Sequence, residues 1–286
     1  MCPGFPAGEA KATEAMVIEA NRDFYRCIAR KYDKYESCTF DRGLQRGLEQ
    51  DLDRIHALFY SLGRTPHCLD CGGGTGNLTL KMCSRGWSVT TVDISGEMLD
   101  LLKNKARSKG YSPVLVQSPI EDFLEKTHDD YDFVGFSSVL HHLHSYAKVI
   151  KQVIPRIRIG GFFYSNYDPV VPERPRLTGA FDSLDIAIAK IMLDSADVLP
   201  GIGRRIRRLF SPTNPLLGRA VLSLGDIAEY HVKAGVDDRE IVRLLKDMGL
   251  TIVEHHRYAT GRTKAVQFLD KRLRLLENFK IIAQRQ

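Results

Sequence analysis

Cysteine stops early in this chain. Positions 2, 27, 38, 68, 71 and 83 hold all six, and none follows. So uneven a set makes a poor disulfide framework and fits a protein kept reduced. No stretch approaches the roughly 18 consecutive apolar residues of a spanning helix. The opening Met1-Cys2-Pro3-Gly4-Phe5-Pro6 lacks the charged and apolar regions of a secretory signal, and no prenylation box closes the chain. These absences predict a cytoplasmic protein. One Trp, 12 Pro and 23 Gly in 286 residues exclude collagen-like and low-complexity classes.

What is present is ordinary for a globular chain, 43% hydrophobic and 27% charged, which argues against disorder. The length suits one or two domains. The net charge is +6, and residues 1–170 carry as many acidic as basic side chains, so the whole excess lies beyond them. So modest an excess does not demand nucleic acid as a partner; a basic face toward an anionic acceptor or a membrane surface is equally compatible.

The pattern is helical first. Residues 12–36 put Phe24, Tyr25, Ile28, Tyr32 and Tyr35 on one face, and residues 41–62 put Leu44, Leu48, Leu52, Ile55 and Leu58 inward. Beyond Gly63-Arg64-Thr65-Pro66 the period changes. Strands are predicted at His67–Asp70, Ser88–Asp93, Val114–Gln117, Tyr131–Phe136 and Gly161–Ser165, with helices at Asn77–Arg85, Gly96–Ser108 and Tyr146–Ile157. Such alternation means right-handed βαβ units and a parallel sheet. After Pro169 it gives way to Pro-bounded helical pieces, then resumes with a helix at Asp237–Met248 and strands at Thr251–His256 and Phe279–Arg285. The simplest account is one doubly wound α/β domain with a helical insertion after its fifth strand.

Asp70-Cys71-Gly72-Gly73-Gly74-Thr75-Gly76-Asn77 follows a strand and opens a helix. Glycines there let the backbone pass close to a ligand and leave helix N–H groups free. A dinucleotide fingerprint would need glycine at 77, and a P-loop would need Gly-Lys-Ser/Thr; neither is present. A carboxylate at the mouth of the loop, Asp70, would repel a pyrophosphate but pair with a ligand ammonium. S-adenosylmethionine (SAM) carries that ammonium with a ribose and an adenine. Asp93, 19 residues past Gly74 at the end of the second strand, stands where an acid can accept from both ribose hydroxyls. The plain alternatives are a tight strand-to-helix turn for the loop and a helix N-cap for Asp93.

With these residues the sequence resembles the class I SAM-dependent methyltransferases, and more narrowly their small-molecule type 11/12 branch, over about residues 20–168 with a weaker echo at 236–286. Asp70 to Gly76 is similar to the family's first motif and Val92-Asp93-Ile94-Ser95-Gly96-Glu97-Met98-Leu99 to its second. Ser118 to Phe123 sits at the adenine-binding turn, Ser137 to Leu143 at the exit of the fourth strand, and Ile159-Gly160-Gly161 at the turn before the fifth. The resemblance implies a Rossmann-like seven-stranded sheet whose last strand is antiparallel. It divides the chain into an N-terminal helical lid (1–62), a SAM-binding core (63–169), a helical substrate cap (170–232) and the completion of the sheet (233–286). It implies SAM as cofactor and S-adenosylhomocysteine as product. Gly72 and Gly74 would approach the methionine part, Asp93 the ribose, Met98 the adenine, and the Ile120 backbone N–H an adenine nitrogen. Asp70, Ile94, Ser137 and, from the lid, Tyr32 complete the expected cofactor set. Pro119 departs from the pattern, since the family usually has Asp there for the adenine amino group; Glu121 or Asp122 can stand in, or water can.

Candidate catalytic residues sit where open α/β sheets hold substrates, beyond the carboxyl ends of the strands. His141 and His142, with His144, follow the fourth strand, and a histidine near neutrality can deprotonate an acceptor. Tyr167 and Asp168 leave the fifth. Tyr230 and His231 return from the insertion, and His231 joins the expected catalytic set. The Tyr25/Tyr32/Tyr35 face reads equally as core or as a lid over the cofactor. Cys68 and Cys71 have C-x-x-C spacing, but they lie on a strand and read as ordinary buried cysteines. No metal is expected. In the insertion, Phe181, Leu184, Ile188, Ile191 and Met192 form an apolar stripe, and Arg204, Arg205, Arg207 and Arg208 form a basic face toward solvent or an anionic lipid. No Asn/Asp-Pro-Pro-aromatic follows the fourth strand, which argues against DNA bases. The expected acceptor is therefore a small organic or lipid-like molecule, anionic or apolar. A SAM-binding partner protein without methyl transfer is the alternative.

Overall fold

The computed structural model describes residues 13–35, 42–171, 235–259 and 277–286, with the isolated positions 268 and 272. The expected cap at 170–232 lies almost wholly outside them. Two helices come first, α1 (Glu14–Tyr35) and α2 (Arg42–Ser61). On α2 the inward row is Leu48, Leu52, Ile55 and Phe59, whereas Leu58 is 51% exposed. The spacings of four, three and four carry the stripe to Phe59, whose ring packs edge-on against Trp87 and Phe162. Leu58 therefore faces out, contrary to expectation.

Then follow β1 (His67–Cys71), α3 (Thr79–Ser84), β2 (Ser88–Asp93), α4 (Gly96–Ser108), β3 (Val114–Gln117), α5 (Ile120–Lys126), β4 (Tyr131–Ser137), α6 (Tyr146–Val153), β5 (Ile157–Pro169), α7 (Asp238–Asp247), β6 (Leu250–Tyr258) and β7 (Asn278–Arg285). Helices α4 and α7 start where side chains satisfy free N–H groups. Ser95 Oγ accepts from Met98 N at the head of α4, and Asp237 Oδ1 accepts from Arg239 N and Glu240 N at the head of α7. The helix α5 was not expected. Pro119 caps it with a fixed φ, and Glu121 and Asp122 place negative charge in its first turn. Strand β5 extends well beyond the expected 161–165 at both ends.

The sheet has seven strands in the order β3-β2-β1-β4-β5-β7-β6, with β7 antiparallel to both neighbours. This is the doubly wound sheet with an antiparallel last strand. Both faces are covered. Residues of α5, α6 and α7, such as Leu124, Ile150, Val153, Ile241 and Leu245, pack with Val134, Phe136 and Phe163. On the other face α2 and α3 pack on Phe133, Phe162 and Tyr164. The strand order reverses between β1 and β4, which opens a crevice at their carboxyl ends.

Candidate active site

At the crevice, the loop after β1 folds back on β2. Gly72 N and Gly73 N both donate to Val92 O, at 2.7 and 3.3 Å. Gly72 and Gly74 have φ of 71° and 52°, which L side chains rarely adopt. A Cβ on Gly72 would lie 2.7 Å from a Val139 methyl, whereas one on Gly74 would meet nothing within 4 Å. Gly74 thus presents bare backbone to open space.

Behind the loop sits Asp70, wholly buried rather than at the mouth as the sequence suggested. Its Oδ2 accepts from Thr79 Oγ1 at 2.5 Å. Its Oδ1 is buried with no partner among the described residues, as is Ser137 Oγ at the end of β4. Asp70 and Ser137 line one small cavity of about 320 Å³, with Gly72, Gly74 and Tyr32 also in its wall. Burial pushes the Asp70 carboxyl up to about 7, a rise that Thr79 opposes. Two bare acceptor oxygens at one wall suit a cationic donor.

Gly72, Gly74 and Tyr32 also line a second, larger cavity of about 710 Å³ counting its open mouth. Asp93, Ile94, Met98 and Ile120 are in its wall. Asp93 Oδ2 accepts from Gly74 N and Oδ1 from Ser95 N, both at 2.8 Å. Burial raises the Asp93 carboxyl, and these backbone hydrogen bonds oppose the rise. All nine residues expected to hold the cofactor therefore lie around two adjoining cavities. Glu121, only 6% exposed, lines the larger one beside Pro119, while Asp122 is exposed. Of the two possible substitutes for the missing Asp, the structure places Glu121 there. Burial raises its carboxyl as well.

Helix α1 roofs the larger cavity with Val17, Ile18, Asn21, Tyr25 and Tyr32. It is tied down along its length. Lys148 Nζ donates to Glu14 at 3.1 Å, and Asn21 Nδ2 to His142 O at 3.0 Å. Tyr25 OH lies 2.7 Å from His142 Nε2. At the far end Asp33 accepts from Thr75 Oγ1 and from Lys105 Nζ. Asn21 was missed in the sequence. Its Oδ1 is buried without a partner among the described residues, and its place four residues before Tyr25 was the available signal.

The expected catalytic residues separate. His142 lines the larger cavity, with His144. His141 does not: it is 6% exposed and turned back, its Nδ1 2.7 Å from Asp168 Oδ1. Tyr167 is also misplaced by the sequence reading. It is buried in the α2-side core, its hydroxyl donating to Leu44 O at 2.7 Å, because β5 bulges there and φ is 67°. Tyr230 and His231 lie outside the described residues. Cys68 and Cys71 are buried free thiols, and burial raises both well above the ordinary value, which makes them unreactive. Among the described residues no cluster of His, Cys, Asp and Glu could hold a metal, and no helix is long and apolar enough to cross a membrane.

A seven-stranded sheet of this order, with a glycine loop after β1 and an acid closing β2, is the class I methyltransferase fold. Comparison with known proteins agrees. The family model of the methyltransferase domain matches residues 69–165. The tRNA 5-carboxymethoxyuridine methyltransferase of Escherichia coli K12 is 29% identical over 150 residues, 50% of this chain and 56% of that protein. The ubiquinone biosynthesis O-methyltransferase of Aeromonas salmonicida is 32% identical over 93 residues, 32% of this chain and 39% of that one. The chain thus spans about half the length, or less, of these curated relatives. Among solved structures, magnesium protoporphyrin IX methyltransferase from Synechocystis PCC 6803 with bound S-adenosylhomocysteine superposes with a TM-score of 0.54 at 17% identity, over 94% of this chain and 100% of that one. The 1,6-didemethyltoxoflavin-N1-methyltransferase of Burkholderia thailandensis gives 0.55 at 17% identity, over 98% and 94%. Residues 69–165 thus match a methyltransferase domain, within a chain that has the class I methyltransferase fold.

Proposed function

We propose that the chain transfers a methyl group from SAM to a small organic or lipid-like acceptor. The observation that carries this is the pair of bare buried oxygens, Asp70 Oδ1 and Ser137 Oγ, at the wall of a cavity that adjoins the one held open by Asp93. An ammonium satisfies the first pair, and a ribose diol can share the second lone pairs of Asp93. Ile94, Met98 and Ile120 offer apolar contact for a flat base, and Glu121 a carboxylate for its amino group. Bound SAM supplies an electrophilic methyl on a sulfonium.

The chain's own residues then have two tasks. The first is to exclude water and align the acceptor, which helix α1 serves by roofing the cavity with Val17, Ile18 and Tyr25. The second is to take a proton from the acceptor where it must lose one. Tyr25 OH and His142 Nε2 share a hydrogen bond at the cavity wall and form that proton-accepting pair.

Titration calorimetry with SAM and S-adenosylhomocysteine, followed by tritium transfer from labelled SAM to candidate acceptors, tests the proposal. Binding of both and a labelled product are expected. Tight NAD binding with none for SAM would overturn it, and SAM binding without transfer to any acceptor would make the chain a SAM-binding partner protein.

A further inference from the structure

Asparagine is a poor residue for the inside of a helix and a costly one to bury. Helix α1 nevertheless carries Asn21 in its second turn, where only 8% of it is exposed. The amide is oriented from two sides. Nδ2 has two hydrogens, and both are used. One goes to Val17 O, a turn back in the helix, and the other to His142 O on the loop after β4, each at 3.0 Å. Flipping the amide would set its oxygen against two carbonyl oxygens, so the hydrogen bonds themselves tell oxygen from nitrogen.

Fastening α1 to that loop takes only the nitrogen half of the amide. Oδ1 is left buried, with no donor among the described residues. A buried carbonyl of this kind lowers stability until something donates to it. Asn21 lines the larger cavity together with Ile18, Tyr25, Pro119, Glu121 and His142. Helix α1 lies along this cavity. Glu14 at its start pairs with Lys148, and both are close enough to Glu121 to act on its charge. Tyr32 near its end is in the walls of both cavities, beside Gly72 and Gly74. Asn21 comes about 10 Å along the helix from Glu14 and about 16 Å before Tyr32, which sets it toward the Glu121 end. Unlike Asp93 and Glu121 in the same wall, an amide oxygen carries no charge, so it suits an uncharged donor.

We propose that Asn21 is a ligand-binding residue, whose Oδ1 accepts a hydrogen bond from an uncharged N–H or O–H of the molecule that fills the larger cavity. The inference rests on the reading of that cavity as part of the site for SAM and the acceptor. Two sources carry such a donor. One is the adenine amino group, which has a second hydrogen beyond the one Glu121 can take. The other is a hydroxyl or amine of the methyl acceptor. Either donor completes the hydrogen bonding of the amide that holds α1 to the loop after β4, so the ligand and the roof over it share one side chain.

The test is calorimetry on the full chain with two ligands, S-adenosylhomocysteine and its analogue with hydrogen in place of the adenine amino group. The native protein is compared with Asn21→Ala and Asn21→Ser; the serine hydroxyl can keep a bond to Val17 O but is too short to replace Oδ1. Tritium transfer from labelled SAM gives KM for the acceptor that the native chain uses best. If adenine is the source, the variants lose about fivefold or more in affinity for S-adenosylhomocysteine and less than about twofold for the analogue. If the acceptor is the source, both affinities hold within about twofold and the acceptor KM rises about fivefold or more. Equal losses for the two ligands would overturn the proposal, since Asn21 would then only fasten α1. Unchanged affinities and an unchanged acceptor KM in a folded variant would overturn it too, with solvent satisfying Oδ1. Should the native chain methylate no acceptor, the two affinities alone decide. A native chain that binds neither SAM nor S-adenosylhomocysteine would overturn the cofactor reading, and this inference with it.

Discussion

Gly74 N donates to Asp93 Oδ2 at 2.8 Å, so the acid that closes β2 also sets the shape of the loop that closes β1. The two elements proposed to recognise the cofactor are therefore one structural unit. Asp93→Ala removes a loop anchor and a ligand acceptor together. SAM affinity should fall by about 1.5–3 kcal/mol, the cost of lost charge-assisted hydrogen bonds, measured by calorimetry. Affinity unchanged within error would refute the ribose role.

The glycines of the loop should separate fold from binding. A Cβ on Gly74 meets open space, so Gly74→Ala brings only the left-handed strain of about 1 kcal/mol. It also fills the cradle. A Cβ on Gly73 would collide with Thr91 Cγ2 and approach Asp70 Oδ2 at 3.0 Å. Gly74→Ala should therefore keep most of its thermal stability and lose SAM binding, while Gly73→Ala loses stability. Equal losses of stability in the two variants would contradict the assignment of Gly74 to the ligand.

How much of this was legible beforehand differs by residue. The alternation of short apolar runs with helical stretches marked the sheet, and Gly96–Ser108 matched its helix at both ends because Ser95 and Lys109 bound it in sequence as they do in space. Gly72, Gly74 and Asp93 could be placed because spacing along one βα unit fixes them, whereas Tyr32, on α1, came only from the resemblance. Tyr167 and His141 could not. Their directions depend on a bulge set by contacts from β6, β7 and α2, and no local pattern in β5 announces it. Leu58 failed for a smaller reason: two positions satisfy a helical stripe equally, and the bulky aromatic partners Trp87 and Phe162 select Phe59.

The carboxyl of Asp70, near 7 instead of 3.8, links SAM binding to protons. A cation beside Asp70 favours its ionised form, so binding near pH 7 should release a fraction of a proton, and affinity should strengthen as pH rises through 7. Calorimetry in buffers of different ionisation enthalpy counts that proton. Asp70→Asn should abolish the release along with much of the affinity. If the variant releases as many protons as the native protein, Asp70 is not the linked group.

Stability without cofactor should carry the same signature. Asp70 and Asp168 both have carboxyls raised to about 7 by burial. Between the ordinary value of 3.8 and about 7, the folded state binds more protons than the unfolded one, so stability is lost as pH rises through that window. Asp238 and Glu254, held low by Arg257 and by Lys280 respectively, act in the opposite sense, but only as pH falls below the ordinary carboxylate range. The midpoint of thermal unfolding should thus fall between pH 5 and 8, and more shallowly in Asp70→Asn. A midpoint that rises over that range would show these carboxyls to be ionised at ordinary values in the fold.

Tyr25 offers the sharpest test of the chemistry. Its ring packs edge-on against Phe24 and Tyr32, at 5.3 and 6.0 Å, and against His142 at 5.2 Å. Phenylalanine can keep all three contacts. Tyr25→Phe therefore removes one hydroxyl, the one 2.7 Å from His142 Nε2, and leaves the roof of the cavity in place. SAM affinity should stay within about threefold. For an acceptor that must give up a proton, kcat should fall by about 10²-fold, at the lower end of what a positioned acid–base group contributes, while KM for SAM is little changed. The loss should ease at high pH, where the acceptor ionises without help. An unchanged kcat at neutral pH would mean that the acceptor enters already ionised, and the hydrogen bond between Tyr25 and His142 would then serve to hold α1 closed.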